Sequence, residues 1–167
     1  ADYSSNLAPG ALASAFGMDL AATTEQAKGL PLPTELAGTR VLVNGKAAPL
    51  LYVSPSQINY QVPAGTPVGA VEVTVERANG RSRETINVKS AGFAAFSFDS
   101  TGSGSGAILD GRTFQPGPHE IQTERGDATI LALFGTGLGE ASSKDFVSKR
   151  VRVFVGGIEA KVHYAGP

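Results

Sequence analysis

Apolar and polar residues alternate along much of this chain, and the alternation has the two-residue period of an extended strand. Val71, Val73 and Val75 are interleaved with Glu72, Thr74 and Glu76, so the valines share one side of the strand. Asn79-Gly80 reads as a tight turn, and residues 83–89 return as the second arm of a hairpin. The same theme runs through Val41 and Val43 before Asn44-Gly45, and through Val151, Val153 and Val155 before Gly156-Gly157. These patterns predict an all-β chain. Val41, Val43, Ile58, Val62, Val71, Val73, Val75, Ile86 and Val88 should line one interior between two sheets, with Asp excluded at Val73 and tolerated at Thr74. Residues 20–29 alone favour helix by composition, and are expected to form a loop with one helical turn ended by Pro31 and Pro33.

The pattern occurs twice. PGALASAFGMDL followed by TRVLVNGKAAPLLYVSP returns as GDATILALFGTGL followed by KRVRVFVGGIEAKVHYAGP. Phe16-Gly17 and Leu20 correspond to Phe134-Gly135 and Leu138, and Gly45, Tyr52 and Pro55 to Gly157, Tyr164 and Pro167, with a shorter joining loop in the second copy. Internal repetition predicts two similar domains. Residues 1–91 form the first, residues 92–125 a packed connection, and residues 126–167 a second, incomplete one. The first copy continues past Pro55 with three further strand-like runs, and the second has none. The expectation is that its missing strands come from a longer chain, from residues 93–124 or from another copy. Within the connection, Gly102 to Gly106 resembles a free linker. However, Ala107-Ile108-Leu109, the Asp110-Gly111 turn and Arg112-Thr113-Phe114 read as a short packed hairpin.

These residues carry a family resemblance. Phe16-Gly17, Val41-Leu42-Val43-Asn44-Gly45, Gln57-Ile58-Asn59-Tyr60-Gln61-Val62-Pro63 and residues 69–75 resemble an IPT/TIG domain, an immunoglobulin-like sandwich of cell-surface receptors, bacterial adhesins and some secreted enzymes. The tandem arrangement, with SPSQINYQVP and then LFGTGLG, is similar to an uncharacterised C-terminal module of secreted acidobacterial proteins. The resemblance implies two tandem β-sandwiches and a surface location, and no chemistry.

Composition narrows the function classes. Of the 167 residues 17% are charged and the net charge is −1, which leaves no surplus of cations to hold a phosphate backbone and argues against nucleic acid. The 21 Gly and 10 Pro among many hydroxyl residues suit a turn-rich extracellular β-protein. Without Cys there are no disulfides, thiolate metal sites or Cys nucleophiles. No apolar run reaches the roughly 18 residues of a membrane span. No signal peptide is seen, and a start at Ala1-Asp2 without an initiator Met fits either a processed secreted chain or a trimmed one.

Candidate chemistry is sparse. The two histidines fall in a Pro-rich turn (His119) and at the repeat position of Leu51 (His163), and neither comes with a nucleophile and an orienting group. GSGSG lacks the pattern of a nucleophile elbow. Gly135-Thr136-Gly137-Leu138-Gly139 has the look of a phosphate loop but neither its spacing nor a closing Lys-Ser/Thr, and reads as family bend residues. Asp99-Ser100-Thr101-Gly102-Ser103 offers one carboxylate, too few for a calcium loop. Arg125-Gly126-Asp127, the tripeptide integrins read, fits a plain turn. The four Tyr are scattered, which weakens a carbohydrate-stacking surface, and Tyr52 and Tyr164 read as packing residues.

What remains is apolar surface. Burying Val151, Val153 and Val155 turns Phe154 outward beside Arg152, and Leu42 stands at the same place in the first copy. With Ala1, Asp2, Tyr3, Ser4, Ser5, Asn6 and Leu7 as a strand that could be donated to a neighbour, Leu42, Arg152 and Phe154 are the interface candidates. The sequence thus points to a secreted, non-enzymatic structural module without cofactor, metal or membrane insertion. It would join to copies of itself or to other domains of the same protein, with a filament as one form of assembly. A carbohydrate-binding or adhesive accessory domain is the competing class.

Overall fold

The computed structural model describes residues 6–100, 104–119, 126, 128–139 and 150–166, and the chain is all-β. Two sheets face each other in the first half. One contains β1 (Asn6–Leu7), β9 (Gly80–Val88), β8 (Gly69–Arg77), β4 (Arg40–Val43) and β5 (Lys46–Ala47), in that spatial order. The other is ordered β2 (Leu12–Phe16), β7 (Gln57–Gln61), β6 (Leu50–Val53) and β3 (Glu25–Gln26).

Alternation aims the core residues. Val41, Val43, Val71, Val73, Val75 and Val88 project from the first sheet, and Ala13, Leu50, Val53, Ile58 and Tyr60 from the second, into one buried cluster that Val62 completes. Each fully buried Val, Leu or Ile is worth about 1.5–3 kcal/mol over leaving it in water. Against a net stability of about 5–15 kcal/mol, the first sandwich depends on all of them. Ile86 is half-buried, because β9 runs past the facing sheet and its residues 80–85 stand in water. Arg81, Arg83 and Glu84 on that overhang keep a long strand from pairing edge-to-edge with another molecule.

Four expectations are corrected. Residues 20–29 form no helical turn. Leu20 and Ala21 enter the core, Leu20 N–H donates to Pro55 O at 2.9 Å, and β3 pairs with β6, because an exposed sheet edge offers these residues bonds that a lone turn lacks. Thr74 is buried, opposite Leu42, with its hydroxyl donating to Glu72 Oε1 at 3.1 Å, so Asp there is no benign change. The β8–β9 turn lies at residues 78–79, one place earlier than Asn79-Gly80, and Gly80 opens β9. Finally, Asn6 and Leu7, expected to have no place in the first core, form β1. They pair in parallel with Asn87 and Val88, and Leu7 O accepts the Lys89 N–H at 2.8 Å.

The second half contains β10 (Ala94–Ala95) paired with β13 (Gly135–Thr136), β11 (Ile108–Asp110) paired with β12 (Leu131–Leu133), and the hairpin β14 (Val153–Val155) with β15 (Ile158–Ala160). Residues 104–106 are no free linker. Phe98 N–H donates to Ser105 O and Ala107 N–H to Phe96 O. The turn at Asp110 is held by its own carboxylate, which accepts the N–H of Thr113 at 2.7 Å and of Arg112 at 2.8 Å. Those bonds hold its pKa below the usual carboxylate value. The return arm is Gln115-Pro116 opposite Leu109 and Asp110, not the expected Arg112-Thr113-Phe114.

Burial in the first core raises the Tyr60 phenol from 10.0 to about 12. The unfolded chain therefore loses this proton first as pH rises, and the stability contributed by the neutral phenol, complete below pH 10, is lost on the way to pH 12. Tyr60→Phe should flatten the alkaline decline in that window by about 2–3 kcal/mol. Denaturant titrations at stepped pH read this directly, and an unchanged slope would exclude the buried phenol as its source.

Candidate interface on the second repeat

The two copies supply an internal comparison. β14 and β15 stand in the repeat positions of β4 and β5, with the same register across the turn: Val43 opposite Lys46, and Val155 opposite Ile158. In the first copy Val41, Val43 and Ala48 are 0%, 1% and 0% exposed. Their counterparts differ. Val155 is 53% exposed and Val153 and Ala160 are half-buried, while Ile158, where the first copy has Lys46, is 77% exposed. The expectation that Val151, Val153 and Val155 are buried is thus corrected. Val151 and Val153 are half-buried and Val155 is open, because among the described residues the hairpin carries the core pattern without a facing sheet.

Backbone parity identifies the open edge. In β4, Ala48 N–H donates to Val41 O on the β5 side, and Asn44 N–H donates to Glu72 O on the β8 side. By the same register, Phe154 aims its peptide groups away from β15, along an edge that no strand occupies among the described residues. A second edge carries no strand among those described. β2 bonds to β7 through its odd-numbered residues, as in Gly17 N–H to Ser56 O and Val62 N–H to Ala11 O. The equivalent strand β12 is instead paired on its even side, where Phe134 N–H donates to Ala107 O and Phe134 O accepts from Phe96. The connecting segment thus covers one edge of β12 and leaves vacant, among the described strands, the edge where the first copy carries β7.

Phe154 and Arg152 do come together. The guanidinium lies 5.1 Å from the Phe154 ring centre, and Nε and one terminal nitrogen donate to the Glu159 carboxylate at 2.8 Å each. The pair holds the Arg152 pKa up and the Glu159 pKa down. Both partners are exposed, so the pair adds little stability and serves to orient the guanidinium. Leu42 is not with them. It is half-buried between Thr74 and Ala47 within the first sheet. Of the proposed donor segment, Asn6 and Leu7 are engaged in β1, and Ala1, Asp2, Tyr3, Ser4 and Ser5 lie outside the described residues. Glu159 went unnoticed in the sequence, although the Gly156-Gly157 turn places it directly opposite Phe154. Thr136 also escaped notice; its hydroxyl oxygen accepts the Leu12 N–H on the outer edge of β2 at 2.7 Å and ties the two halves.

The glycine run is explained by backbone proximity. A Cβ on Gly137 would lie 2.1 Å from Gly92 O, and one on Gly139 2.2 Å from Ser90 O. Both have left-handed backbones, with φ of +85° and +83°. The alternate glycines let residues 135–139 lie against the backbone entering from the first sandwich, with Gly92 N–H donating to Gly137 O at 2.8 Å.

Other candidates are dispersed. His119 has one ring nitrogen 3.2 Å from Ile108 O, and His163 is exposed. Gly126 has φ +78° in an exposed turn, while Arg125 and Asp127 lie outside the described residues, as do Thr101, Gly102 and Ser103. Tyr60 is in the core and Tyr52 half-buried, so Tyr164 is the exposed tyrosine among those described. An open cleft of about 420 Å³ beside the hairpin, lined by Val151, Glu159, Ala160, Lys161 and Val162, offers no nucleophile with a base. Among the described residues no cluster of three or more His, Asp or Glu could hold a metal ion. Comparison of the chain with protein-family models, with curated proteins and with solved structures gives no match.

Two measurements test this account. Val43→Asp should unfold the first sandwich, since an unpaired buried charge costs several kcal/mol, whereas the repeat-equivalent Val155→Asp should change stability by no more than about 0.5 kcal/mol. Equal effects in thermal melts would show that the copies are equally packed. Gly137→Ala should cost about 1–3 kcal/mol through its left-handed backbone and the contact with Gly92. The loss should be read as faster amide exchange at Gly92 with Val41 and Ile58 unaffected.

Proposed function

We propose that this protein is a non-enzymatic structural module of the cell surface or extracellular space, and that it works by joining polypeptides through the open sheet edges of its second half. The carrying observation is the contrast between equivalent positions: Val43 is 1% exposed and Val155 53%. Apolar positions patterned for a core but facing water are completed by another surface in a working assembly. Supporting the reading, among the described residues Phe93, Phe98, Phe114, Ile130, Leu133, Phe134, Phe154, Val155, Ile158 and Tyr164 are exposed large apolar residues in this half, against four in the first. The resemblance to tandem IPT/TIG immunoglobulin-like domains and the neutral, hydroxyl-rich composition support the surface location.

Assembly takes one of two forms, contact with further domains of the same protein or head-to-tail contact between copies. The second generates a filament if the contact does not close into a ring. For residues 6 and 7 to serve as donors in trans they must first leave β9, so donation from the N-terminal segment carries the cost of breaking β1.

Sedimentation of the 167-residue chain over a concentration series is the test. Association that Val155→Asp combined with Ile158→Asp weakens about ten-fold or more is the expected result. A monomer at every concentration that hydrolyses a substrate, or whose Tyr164 fluorescence responds to oligosaccharides, would sink the structural reading in favour of an enzyme or a carbohydrate-binding domain.

A further inference from the structure

The first copy shows what covers its own Val-x-Val strand. β8 runs antiparallel to β4 and places Glu76 opposite Arg40, Val75 opposite Val41, Thr74 opposite Leu42 and Val73 opposite Val43. The second copy keeps every feature that this arrangement reads. Arg152 stands for Arg40, Val153 for Val41, Phe154 for Leu42 and Val155 for Val43, and the turn that follows has the same length. The strand alongside is missing among the described residues.

We infer that the outer edge of β14 is a docking site for an extended polypeptide strand, antiparallel to β14, with apolar residues opposite Val153 and Val155, a hydroxyl residue opposite Phe154 and a carboxylate opposite Arg152. Three observations point to this occupant. The outward peptide groups of Phe154 supply the paired N–H and C=O that strand addition uses. On the inner face, Val155 and Ile158 form an exposed apolar pair that an alternating strand would extend into a continuous surface. On the outer face, Glu159 takes Nε and one terminal nitrogen of Arg152 and the Phe154 ring lies beneath the guanidinium, so the group is held in place and its remaining N–H donors are left for a carboxylate arriving opposite. The N-terminal segment does not fit, since Ala1-Asp2-Tyr3-Ser4-Ser5 contains no Val-Thr-Val-Glu run. The β8 of another copy has the right sequence but is locked between β4 and β9. The occupant is therefore a strand of β8-like chemistry that is not already part of a closed sheet.

The inference rests on the reading of the second half as a joining surface, but its test does not require the protein to assemble. A synthetic peptide of residues Gly69–Arg77 is titrated into the full chain while amide exchange is followed by NMR. Expected is saturable slowing at Phe154 and at Gly156, the counterpart of Asn44, with the first sandwich unchanged. Val155→Asp should weaken binding about ten-fold. Arg152→Glu should weaken it too, and a peptide carrying Glu76→Arg should restore affinity for that variant, which fixes the register. Exchange across Val153 and Ala160 confirms that each variant keeps the hairpin. Peptide binding that leaves Phe154 unprotected, or that ignores both substitutions, overturns the proposal. Association of copies through the Val155 and Ile158 face leaves Phe154 unprotected and this site standing, whereas concentration-dependent protection of Phe154 without peptide overturns the proposal, because a second copy would then be the occupant. Docking of the peptide to a protein that never associates with itself would leave this site standing and remove contact between copies alone.

Discussion

The pairing of β4 with β8 is the contact on which the first sandwich turns. It places Val41 and Val43 beside Val73 and Val75 on one inner face, and the facing sheet then brings Leu50, Val53 and Ile58 against them. A strand is stable in water only when its backbone edge and its apolar face are both covered. In the first copy one segment, residues 56–89, supplies β7 to one sheet and β8 and β9 to the other. Each of these strands covers an edge and contributes to the core. The second copy has the strands that need covering and, among the described residues, not the segment that covers them.

The connecting segment compensates in part. Its arms pair with β12 and β13 on the even-numbered side of the chain, the side that β2 turns away from β7. That choice is allowed by Gly135, Gly137 and Gly139, which have no side chain to collide with the incoming backbone at residues 90–94. A motif that resembled an anion-binding loop is thereby a backbone-packing device. Leu12 N–H to Thr136 Oγ1 then satisfies a donor on the outer edge of β2 and links the two halves.

The interface candidates separate along the same line. Leu42 and Phe154 are equivalent in sequence, yet Leu42 is enclosed by Thr74 and Ala47 while Phe154 lies open under a guanidinium. The residue type does not distinguish them. What distinguishes them is whether a strand lies alongside, which also decides why Thr74 is buried although its position in the alternation turns it away from the core.

Local pattern alone was enough to determine the all-β character, the turns at Asn44-Gly45 and Gly156-Gly157, and the inward set from Val41 to Val88, with Ile86 the one residue placed too deep. A period of two assigns sides to residues wherever a strand forms. The repeat was legible for the same reason. Tertiary structure decided the rest. Strand partners are a matter of long-range contact, so β1 beside β9, β3 beside β6, and the connecting segment on the even side of β12 left no local mark. Depth of burial depends on what arrives from elsewhere in the chain. Val43 and Val155 carry one sequence signal and two exposures, because among the described residues only Val43 has a second sheet in front of it.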